Sequence, residues 1–196
     1  MKTQLRPLAT LFGVLALITG VLYPLAVTGL AQLIFPFQAN GSLVKVNEQV
    51  VGSELIGQDF SGEQFFWGRP SATSAHLYNA FDQDALTGSS GSNLGPLSQV
   101  LVDNVQEQVN TLMKVDLGNT NLIPVDLVTA SASGLDANIS VSAALYQVPR
   151  VARVRGLEEA TVTALVNQYT ENRQFGILGE PRVNVLLLNL ALEGIK

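Results

Sequence analysis

Histidine and carboxylate side chains are the first candidates for chemistry in this sequence. His76 is the only histidine, and Asp82 and Asp84 follow it closely. A metal site on His76 would need these carboxylates as further ligands, but their spacing matches no common metal-ligand pattern. The chain has no cysteine, which excludes thiolate catalysis and cysteine-based metal sites. We therefore interpret His76 as a surface or turn residue and predict no metal site.

Serine nucleophiles and phosphate-binding loops are the next candidates. Serine and aspartate are plentiful, so Ser-His-Asp catalysis is formally possible, but the G-x-S-x-G elbow is absent. The glycine-rich segments lack the lysine that reaches a phosphate in a Walker loop. We predict no catalytic residue. The sequence favours a binding or assembly module, and the alternative is a membrane-anchored extracytoplasmic hydrolase or binding module that acts alone.

Arginines cluster at the end of one predicted helix. The segment 141–155 follows Ser140, a typical N-cap residue, and precedes Gly156, a typical helix stop. Its cations are Arg150, Arg153 and Arg155. The helix dipole favours cations at this end, so the segment could attract an anion. The simpler interpretation, which we prefer, is that these arginines pair with Glu158, Glu159 or carboxylates of a partner.

The segment Leu8 to Phe35 contains no charged residue. It exceeds the roughly 20 apolar residues that a helix needs to cross a bilayer. It is also longer than the apolar region of a cleaved secretory signal, which is the alternative. We predict an uncleaved transmembrane helix. Gly13 and Gly20 would let another helix approach closely, so both are candidate contacts with a partner.

Basic residues on one side of this span predict the topology. Lys2 and Arg6 precede it and the next basic residue is Lys45, so the positive-inside rule places the amino terminus in the cytoplasm. We expect residues 1–7 to be cytoplasmic, residues 8–35 to cross the membrane and residues 38–196 to form one extracytoplasmic domain. All 16 acidic residues lie in that last part, which argues against nucleic acid binding.

The remaining segments predict a mixture of helices and strands. We expect a strand and hairpin over 43–51, a helix over 96–114, a strand over 124–130, helices over 141–155 and 157–172, and a central strand over 183–190. The expected fold class is α+β, with one amino-terminal transmembrane helix followed by a single extracytoplasmic domain of helices and sheet.

Two loops of this domain are rich in glycine, proline and small polar residues. One contains residues 68–71 and the other residues 90–96. Such sequences hold the backbone in fixed shapes but bury little apolar area, so we predict partner surface and not core. The candidate contact residues are Arg69, Pro70, Asn93, Gly95 and Pro96.

Six sequence blocks follow one another in a fixed order between residues 52 and 186. They are Gly52 to Gln58, Gly68 to Ala72, Gly91 to Pro96, Asp126 to Ser131, Gln147 to Ala152 and Gly179 to Leu186. Together with the single amino-terminal span, these blocks closely resemble the KdpC family, the C subunit of the bacterial Kdp potassium-transporting ATPase.

The resemblance implies an accessory subunit of a high-affinity, ATP-driven potassium uptake complex. The implied partners are a channel-like potassium-translocating subunit, a P-type ATP-hydrolysing subunit and a small stabilising peptide, besides membrane lipid. The family is described as promoting assembly and as a catalytic chaperone that raises the ATP affinity of the hydrolytic subunit. It also associates Gln147, and with it Arg150, with nucleotide. ATP and potassium would be ligands of the complex, and we expect no cofactor bound by this chain. If Gln147 lies outside the membrane, the bilayer separates it from cytosolic ATP.

Overall fold

The computed structural model describes residues 2–72, 81–82 and 87–194. The chain divides into two compact units, Met1–Leu43 and Val44–Lys196. One long apolar helix is followed by a mixed helix and sheet unit, so the predicted fold class is confirmed. His76 and Asp84 lie outside the described residues, and the interpretation of that segment stays a prediction.

The first unit is dominated by one long helix. It comprises α1 (Lys2–Leu17), a π-helical segment (Ile18–Leu22) and α2 (Tyr23–Ile34), and the short α3 (Pro36–Ala39) follows. Among the described residues, only the stretch Gln4–Ile34 is long and apolar enough to cross a membrane, and none of its apolar window is buried. The π-helical turns directly precede Pro24, which lacks a backbone donor.

The predicted hairpin follows α3 in the sequence and is confirmed. β1 (Leu43–Val46) pairs with β2 (Gln49–Ser53). Asn47 and Glu48 form the two-residue turn between them, with φ of 49° and 66°. These left-handed values are the ones that a type I′ hairpin turn requires. Further along, β3 (Phe81–Asp82) and β4 (Thr87–Gly88) form a second antiparallel pair.

The core of the second unit combines a small sheet with three helices. After α4 (Gln99–Val115) come β5 (Asn138–Ser140), α5 (Val141–Arg155), α6 (Glu159–Gln168), β6 (Thr170–Glu171), β7 (Arg182–Asn184) and α7 (Val185–Leu192). The three strands form an antiparallel sheet with β7 in the centre. Val151, Val166 and Leu188 of the three helices after β5 are completely buried. This core positions the long irregular segment 54–72.

Two helices differ from their predicted bounds. α4 begins at Gln99 and not at Pro96, because the Ser98 amide donates to the Gly95 carbonyl (3.0 Å) and closes a turn before the helix. α6 ends at Gln168, short of the predicted 172, because the chain leaves the helix to pair with β7.

One predicted strand was wrong, and the predicted central strand was too long. Residues 124–130 contain a 3₁₀ turn (Val125–Leu127). Asp126 accepts from the Ser140 amide (2.7 Å) and hydroxyl (3.1 Å), which ties that turn to the start of α5. The predicted strand 183–190 ends at Asn184, where the side chain accepts from the Leu187 amide (3.1 Å) and caps α7. A buried helix can be apolar on all sides, so its short apolar run cannot be distinguished from a buried strand by periodicity.

Candidate functional site

α5 carries both residues that the resemblance associates with nucleotide. The helix forms where predicted because the Ser140 hydroxyl accepts from the Ala143 amide (3.0 Å) and Gly156 closes the other end in the left-handed conformation, with φ of 66°. Gln147 and Arg150 are three residues apart and therefore share one face. Both side chains are only 1% exposed.

Gln147 pairs with the backbone of the irregular segment. Its Oε1 accepts from the Trp67 amide (2.7 Å) and its Nε2 donates to the Trp67 carbonyl (3.1 Å). Asn189 of α7 repeats this pattern on the preceding residue, because Oδ1 accepts from the Phe66 amide (2.8 Å) and Nδ2 donates to the Phe66 carbonyl (2.9 Å). We call Gln147, Asn189 and the Phe66–Trp67 backbone the amide clasp.

The amide clasp explains how an irregular segment can lie in the core. Backbone donors and acceptors that are buried without partners are costly, and strands normally satisfy them through neighbouring strands. Here two side-chain amides take the place of that neighbour for two consecutive residues. Phe66 is thereby held at 0% exposure. Helices α5 and α7 are thus fastened to the same short stretch of chain.

Arg150 lies beneath the clasp. Its Nη2 donates to Gln147 Oε1 (2.7 Å), its Nη1 donates to the Glu63 carbonyl, and its guanidinium lies 4.5 Å from the centre of the Trp67 ring. Burial lowers the pKa of Arg150 to about 10, and the charges of Asp116 and Glu63 act in the opposite direction. Arg150 is therefore protonated at neutral pH, and carbonyl, amide and aromatic groups stabilise its charge.

This geometry bears on the suggested nucleotide role. Gln147 and Arg150 form these hydrogen bonds within the domain, and both side chains are almost completely buried. A cavity of about 260 Å³ lies beside the irregular segment. Trp67 and Arg69 contribute to its walls, whereas Gln147 and Arg150 are not among the described residues that line it. In this arrangement both residues serve the fold.

The other arginines of α5 pair within the chain. Arg153 contacts Asp116 (3.0 Å), which is 4% exposed, and Arg155 contacts Glu193 (2.5 Å). Among the described residues, the predicted pairs with Glu158 or Glu159 do not form, so that prediction was wrong. Acidic residues distant in sequence provide the partners, a choice that helix periodicity cannot reveal. Burial, followed by the charge of Asp116, raises the pKa of the neighbouring Tyr146.

The two predicted contact loops meet at one segment, residues 129–134. Arg69 forms an ion pair with Asp136 (3.2 Å) and donates to the Ala130 carbonyl (3.2 Å). Directly before the other loop, the Ser89 hydroxyl donates to the Ser133 carbonyl (2.8 Å), and within that loop a Cβ added at Gly91 would lie 2.7 Å from the Ala132 carbonyl oxygen. Pro70 and Leu94 line one cavity of about 250 Å³ between the loops. The structure therefore brings the loops together.

Their exposure differs. The Arg69 side chain is 25% exposed and pairs within its own domain, and its contact with a partner stays a prediction. Asn93, Gly95 and Pro96 are exposed, and Asn93 has a φ of 52°. Contacts of these residues with a partner stay a prediction. In the first unit, a Cβ added at Gly13 or Gly20 would meet nothing within 4 Å, so both glycines lie on an open surface of the long helix.

Sequence reasoning missed Asn189, Trp67 and Asp116. A signal existed for Asn189, because it is the only polar residue of α7. An isolated amide in an apolar helix needs hydrogen-bond partners when the helix is buried. Trp67 carried no comparable signal, since its role depends on its backbone and on the position of a helix eighty residues later.

Comparison with known proteins covers the whole chain. Residues 5–194 match the model of the family described as "KdpC: K+-transporting ATPase, c chain". Proteins named potassium-transporting ATPase KdpC subunit are 56% identical in Dechloromonas aromatica, 54% in Methylococcus capsulatus and 57% in Polaromonas naphthalenivorans. Each alignment covers 100% of this chain and 97–100% of the relative. The chain therefore belongs to the KdpC family, the c chain of K+-transporting ATPases.

Proposed function

We propose that this chain is an accessory, non-catalytic subunit that supports assembly and stability of an ATP-driven potassium uptake complex. The observation that carries the proposal is the full-length match to relatives named as subunits of a potassium-transporting ATPase. The long helix adds support, because an apolar surface that is fully exposed in the isolated chain calls for lipid or partner helices.

The proposed topology is single-pass, with the amino terminus in the cytoplasm and the second unit in the periplasm. Lys2 and Arg6 before the span support it. The chain has no cysteine, so single cysteines report the topology cleanly. Leu122→Cys, at a side chain that is 93% exposed, should react with an impermeant maleimide in intact cells. Gln4→Cys is the matched control and should react only after lysis, and the reverse pattern would refute this topology.

The proposed partners are the channel-like potassium-translocating subunit, the P-type ATP-hydrolysing subunit and the small stabilising peptide. Gly13 and Gly20 are the candidate contacts of the span, since small residues let helix backbones approach closely. Asn93, Gly95 and Pro96 are candidates in the second unit because they are exposed.

We infer that the chain raises the ATP affinity of the hydrolytic subunit through assembly, as a catalytic chaperone, and not by holding nucleotide on Gln147 or Arg150. The burial of both side chains and their occupied hydrogen bonds support this inference. The proposed topology supports it as well, because it separates these residues from cytosolic ATP.

Co-purification tests the proposal. The tagged chain, extracted in mild detergent, should bring the larger membrane subunits with it. Membranes from cells that lack the chain should show no potassium-dependent ATP hydrolysis, and expression of the chain should restore it. Purification of the chain alone, with hydrolytic turnover of its own, would refute the accessory role and favour an anchored hydrolase.

A further inference from the structure

The connection between β6 and β7 exposes a cluster of large apolar side chains. We call residues 173–180 the apolar turn. Phe175 is 84% exposed, Ile177 is 75% exposed and Leu178 is 55% exposed. Single exposed apolar residues are common on protein surfaces, whereas several at one tip are typical of an interaction site.

Backbone hydrogen bonds give the apolar turn a defined shape. Gln174 and Leu178 exchange both backbone hydrogen bonds, at 2.9 and 3.0 Å, and the Gly176 amide donates to the Arg173 carbonyl (3.0 Å). A binding element that is already ordered loses little conformational entropy when it binds. The shape of this turn therefore suits docking.

Phe175 adds backbone strain to apolar exposure. Its φ of 55° lies in the left-handed region, which a bulky side chain rarely adopts. In the isolated chain this strain is not offset by burial of the ring. Contact with a partner would provide that burial, because the side chain is 84% exposed in the isolated chain.

The charges around the turn indicate which kind of partner it suits. Arg173 pairs with Glu180 (2.6 Å), and Arg182 of β7 pairs with Glu171 of β6 (2.9 Å). Segments that insert into anionic lipid surfaces usually carry unpaired cations beside their apolar residues. Here each arginine has a carboxylate partner, so the base of the turn carries no net charge. An uncharged apolar pocket in a folded protein is the better match.

We propose that the apolar turn docks into an apolar pocket on the extramembrane surface of another subunit of the same ATPase complex. This inference rests on the proposed function, which tethers both proteins to one membrane. Phe175 and Ile177 act as the anchoring side chains, since aromatic and aliphatic groups in a desolvated pocket provide most of the energy of an interface.

A double substitution in the full chain tests the proposal. Phe175→Ser with Ile177→Ser, expressed with the other subunits, should lower recovery of the complex about tenfold. Leu117→Ser with Leu122→Ser is the matched control, because these side chains are 81% and 93% exposed elsewhere in the domain. The control should leave recovery unchanged. Equal recovery with both double variants would overturn the proposal.

Photocrosslinking identifies the occupant without depending on the stability of a variant. A benzophenone amino acid at position 175 should form an adduct with another subunit of the complex, identified by mass spectrometry. Adducts only with lipid, or only with a second copy of this chain, would overturn the proposal. If the wild-type chain purifies without the complex, the proposed function fails as well; if it assembles but position 175 forms no subunit adduct, only this inference fails.

Discussion

Truncation of Gln147 separates a structural role from a nucleotide role. Gln147→Ala removes the acceptor of the Trp67 amide and of Arg150 Nη2, and it removes the donor to the Trp67 carbonyl. Leaving a buried polar group without a partner costs about 1–3 kcal/mol. Because these groups share one acceptor and relax together, we expect a total loss of about 3–5 kcal/mol in the free energy of unfolding.

The assay is thermal unfolding of the full chain in detergent. For a domain of this size, a loss of about 3–5 kcal/mol lowers the melting temperature by about 10 °C. The chain contains a single tryptophan, Trp67, so fluorescence reports directly on the affected segment. Gln168→Ala is the matched control, because it truncates an exposed helical glutamine. It should change the melting temperature by no more than about 2 °C.

Asn189→Ala provides the decisive comparison. It breaks the other half of the amide clasp at Phe66 and does not alter α5. If Gln147 acts through the fold, both substitutions should lower stability, recovery of the complex and its ATP affinity in parallel. The structural reasoning would be refuted if Gln147→Ala left the melting temperature unchanged and still weakened ATP binding while Asn189→Ala did not.

Four further substitutions test other contacts. Arg69→Ala should lower the free energy of unfolding by about 1 kcal/mol, since its ion pair with Asp136 is partly screened. Asn93→Ala, at an exposed turn, should change the free energy of unfolding in urea by no more than about 0.5 kcal/mol. Gly156→Ala should cost about 1 kcal/mol, because alanine disfavours the left-handed cap, and an unchanged urea midpoint would contradict this. Burial lowers the pKa of Arg150 to about 10, so above that pH the folded chain releases a proton that the unfolded chain keeps. The stability of the wild type should therefore rise relative to that of Arg150→Met between about pH 9 and pH 11. Parallel pH profiles of the two proteins would contradict the lowered pKa.

Local signals in the sequence located some elements accurately. Ser140 and Gly156 bracket α5 because capping depends on residues adjacent to the helix. The hairpin over 43–51 was predicted correctly for the same reason, since a tight turn is governed by its own residues. The long apolar helix was predictable from composition alone.

Elements decided by distant contacts were not predictable. The apolar run after Val183 became mostly helix because Asn184 caps it and Asn189 bonds to the segment at Phe66. Residues 124–130 form a 3₁₀ turn and not a strand, because Asp126 accepts a hydrogen bond from the Ser140 amide. In the candidate site, the arginines of α5 suggested anion attraction and the resemblance associated Gln147 with nucleotide. The burial of Gln147 and Arg150 was not predictable, because it depends on how the chain from Glu63 to Trp67 crosses α5.

The π-helical segment within the span changes the phase of the helix. Each i→i+5 turn holds one residue more than an α-helical turn, so side chains after Leu22 are rotated about the axis relative to an uninterrupted α-helix. Gly13 lies before this offset and Gly29 lies beyond it. Their spacing in the sequence alone therefore gives the wrong angle between them about the helix axis. The two halves of the span can thus present small residues to two different neighbours.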